Sequence, residues 1–546
     1  MKKIYKITKY VLGLALLILA GACSSPMDEI TSMNMARNLS PTDVSLLLID
    51  RTNVQLTWTV NDAADSYTIE VYADDNLEFD ESHLENVIEE IKGYEVPYLI
   101  ENLQGETQYS FRIKAVTDDD SSRDSKWSTA KTTTGTEQIM EKPSADEILA
   151  KSVTLRWKIG QKATQIVLTP TDESLEAITY TVTADDIEAG EATIEGLTPE
   201  TEYTAVLKNG EKTRGTQTFT TAIELADGDV LVEEDDVLAT VIKNAEDGAR
   251  LIVMPGKYYL NEDGTKTAKI SIEKNLKIKG LRPNDMPVIY GAYGIKNGVS
   301  LEIDQCIIDG TGTDTDADKT QAFDFIEEGK CDHLYITNSE IRTFVKGLVY
   351  VSLATEINEI TINNTVIHDI ITDGGDFIDN RMGYVKNINL TNSTIYNSCA
   401  KRDFVRLDGT GQGNTFAGAG NVINVKIDHC TFYKVGDGAQ NRQMFYNRFA
   451  DNKVTFTNNI VSGWNNKRGF TNDKTTDTKA TLSGNYYHNT LNLMSLADGN
   501  TQAVRWFDTE GTALTDEPFE DASSANFTIT DPVLKANAPG DPRWIE

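Results

Sequence analysis

Short runs in which apolar and polar residues alternate fill the chain between residues 38 and 135. In the run of Val54, Leu56 and Trp58 every second residue is apolar, and clusters of turn-forming residues separate this run from the next. When every second residue is apolar, one side of a β-strand can face a core. A series of such strands predicts an all-β sandwich.

The same alternation returns between residues 138 and 222, where Trp157 matches Trp58 and Tyr203 matches Tyr109. Both stretches resemble fibronectin type III domains. The resemblance implies that each Trp lies in the core and that each Tyr hydroxyl ties a corner of the sandwich. Neither stretch contains a catalytic constellation, so we expect spacer or docking modules, with glycan binding on an exposed aromatic residue as the alternative.

A longer repeat runs from residue 228 to residue 490. Each unit has two apolar residues separated by one position, followed by a polar and a small residue, and successive units begin 26 to 37 residues apart. The units begin at Leu301, Leu334, Ile360, Ile388, Val425, Val454 and Ala480. A repeat of this length predicts a solenoid whose units stack and bury a shared apolar column.

Asparagine follows the strand motif by one fixed offset in four units, at Asn338, Asn364, Asn392 and Asn458. Asparagine tolerates a left-handed turn and can hydrogen-bond the asparagine one unit away. The column therefore predicts a parallel β-helix with a turn at each asparagine. His429 stands in the same column and is expected to be structural.

The predicted solenoid has a cap at each end. An apolar helical stripe from Val237 to Ile242 precedes the first unit and resembles the capping helix of pectate-lyase-like right-handed β-helix proteins. Aromatic residues after the last unit predict a C-terminal cap at 491–546. The whole chain is therefore predicted to be all-β, with two fibronectin type III-like β-sandwiches followed by a right-handed parallel β-helix.

The first 22 residues have the layout of a secretory signal peptide, with four lysines before an apolar run from Val11 to Ala20. Residues 19 to 23 resemble the lipobox of bacterial lipoproteins, which implies a lipidated Cys23 and a tether over residues 23–37. The acidic residues that follow resemble the export signal of Bacteroidetes surface lipoproteins. We therefore expect a lipid-anchored protein on the cell surface of the outer membrane, with a plain secreted protein as the alternative.

The formal charge of −33 excludes nucleic acid as an expected partner, because binding to phosphates requires a surplus of Lys and Arg. The balance reverses between residues 381 and 468, where twelve basic and five acidic residues leave a surplus of seven positive charges. A local positive field along a groove suits a polyanionic chain. The alternative is that these charges pair with one another on a solvated face.

The second strand of each unit carries charged residues at positions that align between units. Stacking at about 4.8 Å per unit would bring Asp379, Arg406 and Tyr446 into one outward file. The repeat resembles polysaccharide lyases, which remove the proton next to a uronate carboxylate after calcium or basic residues neutralise that carboxylate.

The resemblance implies roles for the residues around this file. Arg406 would act as the base, supported by Lys401, Arg402 and Tyr446. The remaining members of the predicted site are substrate-binding residues and calcium ligands, namely Arg381, Arg442 and Arg448 for substrate and Asp379, Asp376 and Glu327 for calcium. His368 lies outside this set and is expected to be structural.

Together these features predict a surface lipoprotein of a glycan-utilisation system whose β-helix binds an acidic, uronic-acid polysaccharide such as pectin. Whether it also cleaves that chain by β-elimination is open, and a non-catalytic surface glycan-binding protein is the alternative. An adhesin for a host protein is a third class. The expected partners are the polysaccharide, the outer membrane through the lipid anchor, and other surface proteins of a glycan-uptake system.

Overall fold

Residues 37–312, 320–418, 420–472 and 480–545 are described by a computed structural model of the chain. The predicted signal peptide at 1–22, the predicted lipidation site Cys23 and residues 23–36 of the predicted tether lie outside the described residues. No described helix combines the length and the apolar character needed to cross a bilayer. The chain divides into two units, each made of two segments. The first comprises the described residues up to Ile139 together with Leu207–Gly215. The second comprises Met140–Val206 together with the described residues from Thr216 onwards.

The first unit contains antiparallel strands at the N-terminal end of the described chain. They are β1 Thr42–Ile49, β2 Asn53–Thr59, β3 Ser66–Ala73, β4 Leu84–Ile91, β5 Tyr98–Ile100, β6 Gln108–Val116 and β7 Ser128–Thr133. Two sheets form, in the orders β1-β2-β5 and β4-β3-β6-β7. As predicted, Trp58 is buried, and the Tyr109 hydroxyl accepts a hydrogen bond of 3.0 Å from the Gln104 backbone N–H.

Shorter elements follow in the region of the second predicted sandwich. They are β8 Ser152–Arg156, β9 Gln165–Pro170, β10 Ile178–Thr181, α1 Ala184–Ala189, β11 Glu191–Glu195, β12 Glu202–Asn209 and β13 Lys212–Thr220. Strand β8 pairs with β11 and β9 pairs with β10, both antiparallel. Trp157 is buried, and the Tyr203 hydroxyl accepts a hydrogen bond from the Thr198 backbone N–H. The assignment of residues 138–222 as a second fibronectin type III domain stays a prediction.

Parallel strands dominate the rest of the chain. In order, the elements are β14 Val230–Val232, α2 Leu238–Asn244, β15 Ala249–Val253, β16 Lys257–Tyr259, β17 Ala268–Ile272, β18 Leu276–Gly280, β19 Val288–Ile295, β20 Leu301–Asp304, β21 Ile307–Asp309, β22 Phe323–Phe325, β23 Gly329–Thr337, β24 Glu340–Arg342, β25 Val349–Val351, β26 Thr355–Asn363, β27 Val366–His368, β28 Ile378–Asn380, β29 Tyr384–Thr391, β30 Thr394–Ser398, β31 Val405–Leu407, β32 Ile423–Asp428, β33 Thr431–Val435, β34 Phe445–Asn447, β35 Asn452–Thr457, β36 Ile460–Ser462, β37 Thr481–Ser483, β38 Tyr486–His488, β39 Thr512–Leu514, β40 Phe519–Asp521, β41 Asn526–Ile529 and α3 Pro532–Asn537.

The parallel strands form three ladders, and most repeat units contribute one strand to each. The first ladder is β14-β15-β18-β20-β23-β26-β29-β32-β35-β37. The second is β16-β19-β21-β24-β27-β30-β33-β36-β38-β39, and the third is β17-β19-β22-β25-β28-β31-β34. Strand β19 is long enough to pair in both the second and the third ladder. Three large parallel ladders are compatible with the predicted β-helix.

Register between the strands keeps apolar side chains in continuous columns. In the first ladder Ile303, Ile336, Ile362, Leu390 and Ile427 lie opposite one another, and each is almost fully buried. Burial of one such side chain is worth about 1.5–3 kcal/mol relative to exposure. A slip of one residue would turn the whole column towards solvent, so the apolar pattern fixes the register.

The asparagine column forms the turns between the first and second ladders. Asn338, Asn364, Asn392 and Asn458 all have positive φ values between 49° and 55°, as predicted for a left-handed turn. Direct contact along the column is confirmed only for the Asn364 amide, which donates to the Asn338 carbonyl oxygen at 2.7 Å. The prediction is wrong for Asn392 and Asn458, whose amides donate to the residue before the turn in the preceding unit. These acceptors are Asn363 and Asp428, the last residues of strands β26 and β32.

Both ends of the parallel region are covered. Helix α2 forms where the apolar stripe predicts it and buries Leu238 and Ile242. At the other end, Trp506 belongs to the same core as Phe445, with ring centroids 6.2 Å apart. Phe519 and Phe527 instead share an apolar cluster with Tyr433 on the side of the second ladder. Helix α2 and Trp506 therefore cover the ends of the apolar core, which would otherwise be open to solvent.

A stacked aromatic pair inside the third ladder provides a test of this packing. Phe377 and Phe404 are fully buried, with ring centroids 4.6 Å apart. We expect Phe404→Ala to lower the free energy of unfolding by roughly 3–5 kcal/mol, because the neighbouring strands cannot collapse into the cavity. The control is Phe416→Ala, at a half-buried ring that lies 6.1 Å from Tyr384. Urea titration of both variants measures the effect, and equal losses would contradict this account of the core.

Candidate functional site

The third ladder places a file of polar and aromatic residues on its outward face. Asp324, Tyr350, Asp379, Arg406 and Tyr446 occupy paired positions on successive strands from β22 to β34. Neighbouring strands lie about 4.8 Å apart. The sequence-predicted alignment of the last three residues is therefore present in the structure.

Asp379 is buried within this file and is bound by an arginine. The Arg381 guanidinium donates from Nε and Nη2 to the two carboxylate oxygens of Asp379, at 2.9 and 2.8 Å. The Asp376 backbone N–H adds a bond of 3.2 Å. Arg381 also lies over the ring of Tyr350, at 5.3 Å from its centroid. A fork-shaped pair of this kind fixes both side chains in one geometry.

Arg406 is held in its charged form by the carboxylates around it. Its Nη2 donates to Asp408 at 2.8 Å and its Nη1 to Asp376 at 3.3 Å, while Asp379 lies 3.9 Å from its Nε. Burial lowers the pKa of Arg406, but these hydrogen bonds and charges outweigh burial and raise the pKa above its ordinary value. The geometry therefore favours a fixed cation over the sequence-predicted base.

Three carboxyl groups beside the file are buried. Burial raises the pKa of Asp376, Asp403 and Asp408, and for Asp403, with the neighbouring charge of Asp376, to about 7. Asp376 accepts the Asp403 backbone N–H at 3.0 Å, and Asp403 accepts the Gln443 backbone N–H at 2.9 Å. Gln443 accepts the Asn472 backbone N–H in the same way. This column therefore links the backbones of successive units.

The three predicted calcium ligands do not form a metal-binding group. Among the described residues no three His, Cys, Asp or Glu side chains have that geometry. Asp376 and Asp379 adjoin each other, but Glu327 follows β22, two strands before β28. Its carboxylate instead accepts the Asn297 backbone N–H at 3.3 Å and lies 3.8 Å from Lys296. The prediction grouped Glu327 with Asp376 and Asp379, but two strand spacings separate Glu327 from them.

A column of arginines precedes the third-ladder strands. Arg402 and Arg442 each stand three residues before the paired residues Val405 and Phe445, so they occupy equivalent positions. The Arg468 backbone N–H donates to the Arg442 carbonyl at 3.1 Å and continues the column into the next unit. The column therefore places three cations at equivalent positions of successive units.

The arginine column is only partly neutralised. Arg442 lies 3.7 Å from the buried carboxylate of Asp403, and Arg468 donates to the Gln502 side chain at 3.4 Å. In the described parts of the chain no carboxylate lies within 4 Å of the guanidinium of Arg402 or Arg468. All three side chains are half-buried. Three cations with one close counter-ion leave a local surplus of positive charge.

Arg468 was not among the site residues predicted from the sequence. The signal that could have found it is a repeated tripeptide, in which each arginine of the column is followed two positions later by a buried Phe or Met. These tripeptides are Arg402-Asp403-Phe404, Arg442-Gln443-Met444 and Arg468-Gly469-Phe470.

The other predicted site residues lie on either side of the column. Lys401 is about half exposed and pairs with Asp373 at 3.2 Å. Arg448 lies over the ring of Tyr446 at 4.3 Å, and Arg406 lies over the same ring at 4.9 Å. The structure thus brings all predicted catalytic and substrate-binding residues to one region of the third ladder, and separates Glu327 from them.

Comparison with known families identifies three parts of the chain. Residues 39–131 match the fibronectin type III domain family. Residues 256–398 match a domain of unknown function, DUF4957, and residues 425–544 match a second one, DUF5123. A search of curated proteins finds no match.

Solved structures that the chain resembles are built from fibronectin type III domains. A two-domain segment of chicken tenascin is 17% identical, with 33% of this chain and 97% of that chain covered and a TM-score of 0.24. The FN1–FN3 domains of chicken CNTN1 are 17% identical, with coverage of 36% and 70% and a TM-score of 0.17. The fibronectin type III domain of human contactin 1 is 21% identical, with coverage of 21% and 96% and a TM-score of 0.15.

The chain therefore contains a fibronectin type III domain and two domains of unknown function. The candidate site extends over both of the latter. Asp379 and Arg381 belong to the first, Arg442 and Tyr446 to the second, and Arg402 lies in the segment between them.

Proposed function

We propose that the protein binds an acidic polysaccharide along the third ladder, and that the three ladders are the walls of a right-handed parallel β-helix. The arginine column of Arg402, Arg442 and Arg468 is the observation that carries this proposal. Among the described residues, the Asp403 carboxylate is the one that lies within 4 Å of a guanidinium of this column. A ligand with repeated carboxylates, such as a uronic-acid polysaccharide, supplies the missing negative charge.

The ion pairs and tyrosines around the arginine column also support the binding of an acidic polysaccharide. Arg381 and Arg406 are already neutralised by buried carboxylates, so they add rigidity more than net charge. Tyr350 and Tyr446 stand in the same file and present half-exposed phenol groups beside the guanidiniums. Such a surface offers charge, hydrogen-bond donors and an aromatic wall to one extended chain.

The proposed location is the cell surface, with a lipid anchor at Cys23 in the outer membrane. An anchored binding protein would keep long polysaccharides close to the membrane and deliver them to other surface proteins of a glycan-uptake system. The two N-terminal sandwiches would act as spacers that hold the β-helix away from the membrane. Nucleic acid remains an unexpected partner because the whole chain carries a charge of −33.

Binding can be tested with arginine variants of the column. We expect Arg402→Ala, Arg442→Ala and Arg468→Ala each to weaken binding of polygalacturonate about tenfold, because a hydrogen bond to a charged group contributes about 1.5–3 kcal/mol. Titration calorimetry at low and at moderate salt measures the affinities. Affinity should also fall as salt increases, since the attraction is largely between charges.

The matched control is Lys426→Ala, which removes a half-exposed cation from the first ladder. Its affinity should equal that of the unmodified protein. If Lys426→Ala and the arginine variants weaken binding equally, the attraction comes from total charge and not from the column. If the unmodified protein binds no acidic polysaccharide, the proposal is wrong.

Cleavage of the bound chain by β-elimination is the second candidate function. The observation that favours it is Tyr446, which is flanked by the guanidiniums of Arg406 and Arg448. A phenol has a lower ordinary pKa than a guanidinium, so Tyr446 suits the role of base better than Arg406. Tyr446, as the phenolate, would take the proton beside the uronate carboxylate, the bond to the leaving oxygen would break, a carbon–carbon double bond would form, and the leaving oxygen would take a proton from water. Arginines of the column would neutralise the carboxylate.

The absorbance of the unsaturated uronate product tests this second function. We expect Tyr446→Phe to abolish product formation from pectin while leaving binding nearly unchanged, because only the hydroxyl is removed. Tyr350→Phe is the control, since it changes the same kind of residue three strands away in the same file. The assay is run with calcium and with a chelator, and loss of product on chelation supports the predicted calcium requirement. Absence of product from pectins, alginate and glycosaminoglycans would leave binding alone.

A further inference from the structure

The column that contains the three arginines can be followed into earlier units of the third ladder. The first residues of β25, β28, β31 and β34 are paired in register. Residues that stand three positions before them therefore occupy equivalent places in successive units. In chain order, and with Arg468 of the next unit, these residues are Lys346, Gly375, Arg402, Arg442 and Arg468. Lys346 was not among the site residues predicted from the sequence.

Lys346 is a cation without a close counter-ion. Its side chain is half-buried, and among the described residues no carboxylate lies within 4 Å of its ammonium group. Asp373, which belongs to the following unit, pairs with Lys401 at 3.2 Å. Lys346 therefore shares the property that distinguishes Arg402 and Arg468 from the paired arginines of the same ladder.

Two glycines make room for Lys346 over the next unit. A side chain at Gly374 would begin 3.9 Å from Cε of Lys346, and one at Gly375 would begin 3.7 Å from its Cβ and 3.0 Å from Nε2 of Gln321. Gly374 also has a φ of 101°, which a residue with a side chain adopts only under strain. The stem of Lys346 thus lies along backbone, and at the column position no side chain separates it from Arg402.

The cationic column is therefore longer than its three arginines. From Lys346 to Arg468 it has five positions and four spacings, a length of about 19 Å at about 4.8 Å per spacing. The position before Lys346 is held by Thr320, which is uncharged and buried. At the other end the Arg468 guanidinium donates to the uncharged side chain of Gln502 at 3.4 Å.

The charges beside the column do not cancel it. Lys401 and Lys467 directly precede Arg402 and Arg468 in the sequence, and Lys467 is exposed. Asp437, in the turn before Arg442, lies in the field of Lys434. The cations of this edge are Lys346, Lys401, Arg402, Arg442, Lys467 and Arg468. Among the described residues, the carboxylates within 4 Å of them are those of Asp373 and Asp403. The surplus of positive charge selects an anionic ligand.

The length of the column indicates the length of that ligand. In an extended polysaccharide one sugar residue advances the chain by about one strand spacing, so about five residues would lie along the five positions. Carboxylates at both ends of this stretch are needed to reach Lys346 and Arg468, and one in the middle reaches Arg402. A single uronate, or a stretch whose carboxylates are methyl esters, would leave these cations unpaired.

We propose that Lys346 is a further ligand-binding residue, and that the column takes an unesterified stretch of about five uronic-acid residues with Lys346 at one end and Arg468 at the other. This inference rests on the proposed function, to which it adds a binding residue and the length and charge of the bound stretch.

Titration calorimetry with unesterified oligogalacturonides of increasing length tests the span. Affinity should rise with length up to about five residues and then level off, because longer chains extend beyond the charged positions. Lys346→Ala should weaken binding of the pentamer about tenfold, as expected for the loss of a hydrogen bond to a charged group. It should leave binding of the trimer nearly unchanged, because a trimer can lie along Arg402, Arg442 and Arg468. Lys346→Arg keeps the charge and should bind the pentamer as the unmodified protein does.

Lys453→Ala is the matched control, because Lys453 is an exposed lysine of the first ladder that also has no carboxylate within 4 Å among the described residues. It should change the affinity of neither oligomer, and thermal melting shows whether all variants remain folded. Equal weakening of trimer and pentamer by Lys346→Ala overturns the inference, as does an affinity that does not level off near the pentamer. Equal binding of fully methyl-esterified pectin also overturns it.

The same titrations separate this inference from the proposed function. If polygalacturonate binds and the arginine variants weaken it, but Lys346→Ala binds the pentamer as well as the unmodified protein does, the extended site is wrong and the arginine column stands. If neither polygalacturonate nor any oligomer binds, the proposed function is wrong and the extended site is wrong with it.

Discussion

Parallel pairing in fixed register is the constraint on which the rest of this structure depends. Each repeat unit contributes strands to the ladders, and each strand lies one spacing, about 4.8 Å, from its equivalent in the next unit. Residues 26 to 37 positions apart in sequence therefore become neighbours. Every column, whether apolar, amide or charged, is a consequence of this register, and the buried apolar columns are what prevent it from slipping.

Each column of equivalent residues in successive units has its own role, and the hydrogen-bond and ion-pair partners of the side chains show what that role is. Asp376, Asp403 and Gln443 occupy one column and each accepts a backbone N–H from the following unit. Gln443 is neutral and also accepts such a hydrogen bond, so this linking role does not require a charge. The negative charges of Asp376 and Asp403 instead pair with Arg406 and Arg442. In the arginine column, Arg442 balances the buried Asp403, whereas Arg402 and Arg468 have no carboxylate within 4 Å of their guanidiniums among the described residues. Cations without a close counter-ion suit the binding of an anionic ligand.

Much of the fold could be predicted from the sequence, because strands and turns depend on local pattern. The alternation around Trp58, the asparagine turns and the stripe of helix α2 are all found where the pattern places them. The alignment of Asp379, Arg406 and Tyr446 followed from the same periodicity. The bonds that these side chains make did not follow, since pairing depends on side-chain direction and on units of unequal length. Glu327 illustrates this limit, because the alignment of units placed it two strands from Asp379 but did not show that its carboxylate contacts Asn297 and Lys296.

The neutralised and the uncompensated arginines lie in one region of the third ladder but differ in their partners. Arg381 and Arg406 pair with Asp379 and Asp408 on or next to β28 and β31, the strands between those that carry Tyr350 and Tyr446. Arg402 and Arg468 have no carboxylate within 4 Å of their guanidiniums among the described residues, so the uncompensated positive charge lies in the segments before the strands. Register therefore brings charged residues into columns, but the partners within each column, more than the shared fold, determine which class of ligand it can accept.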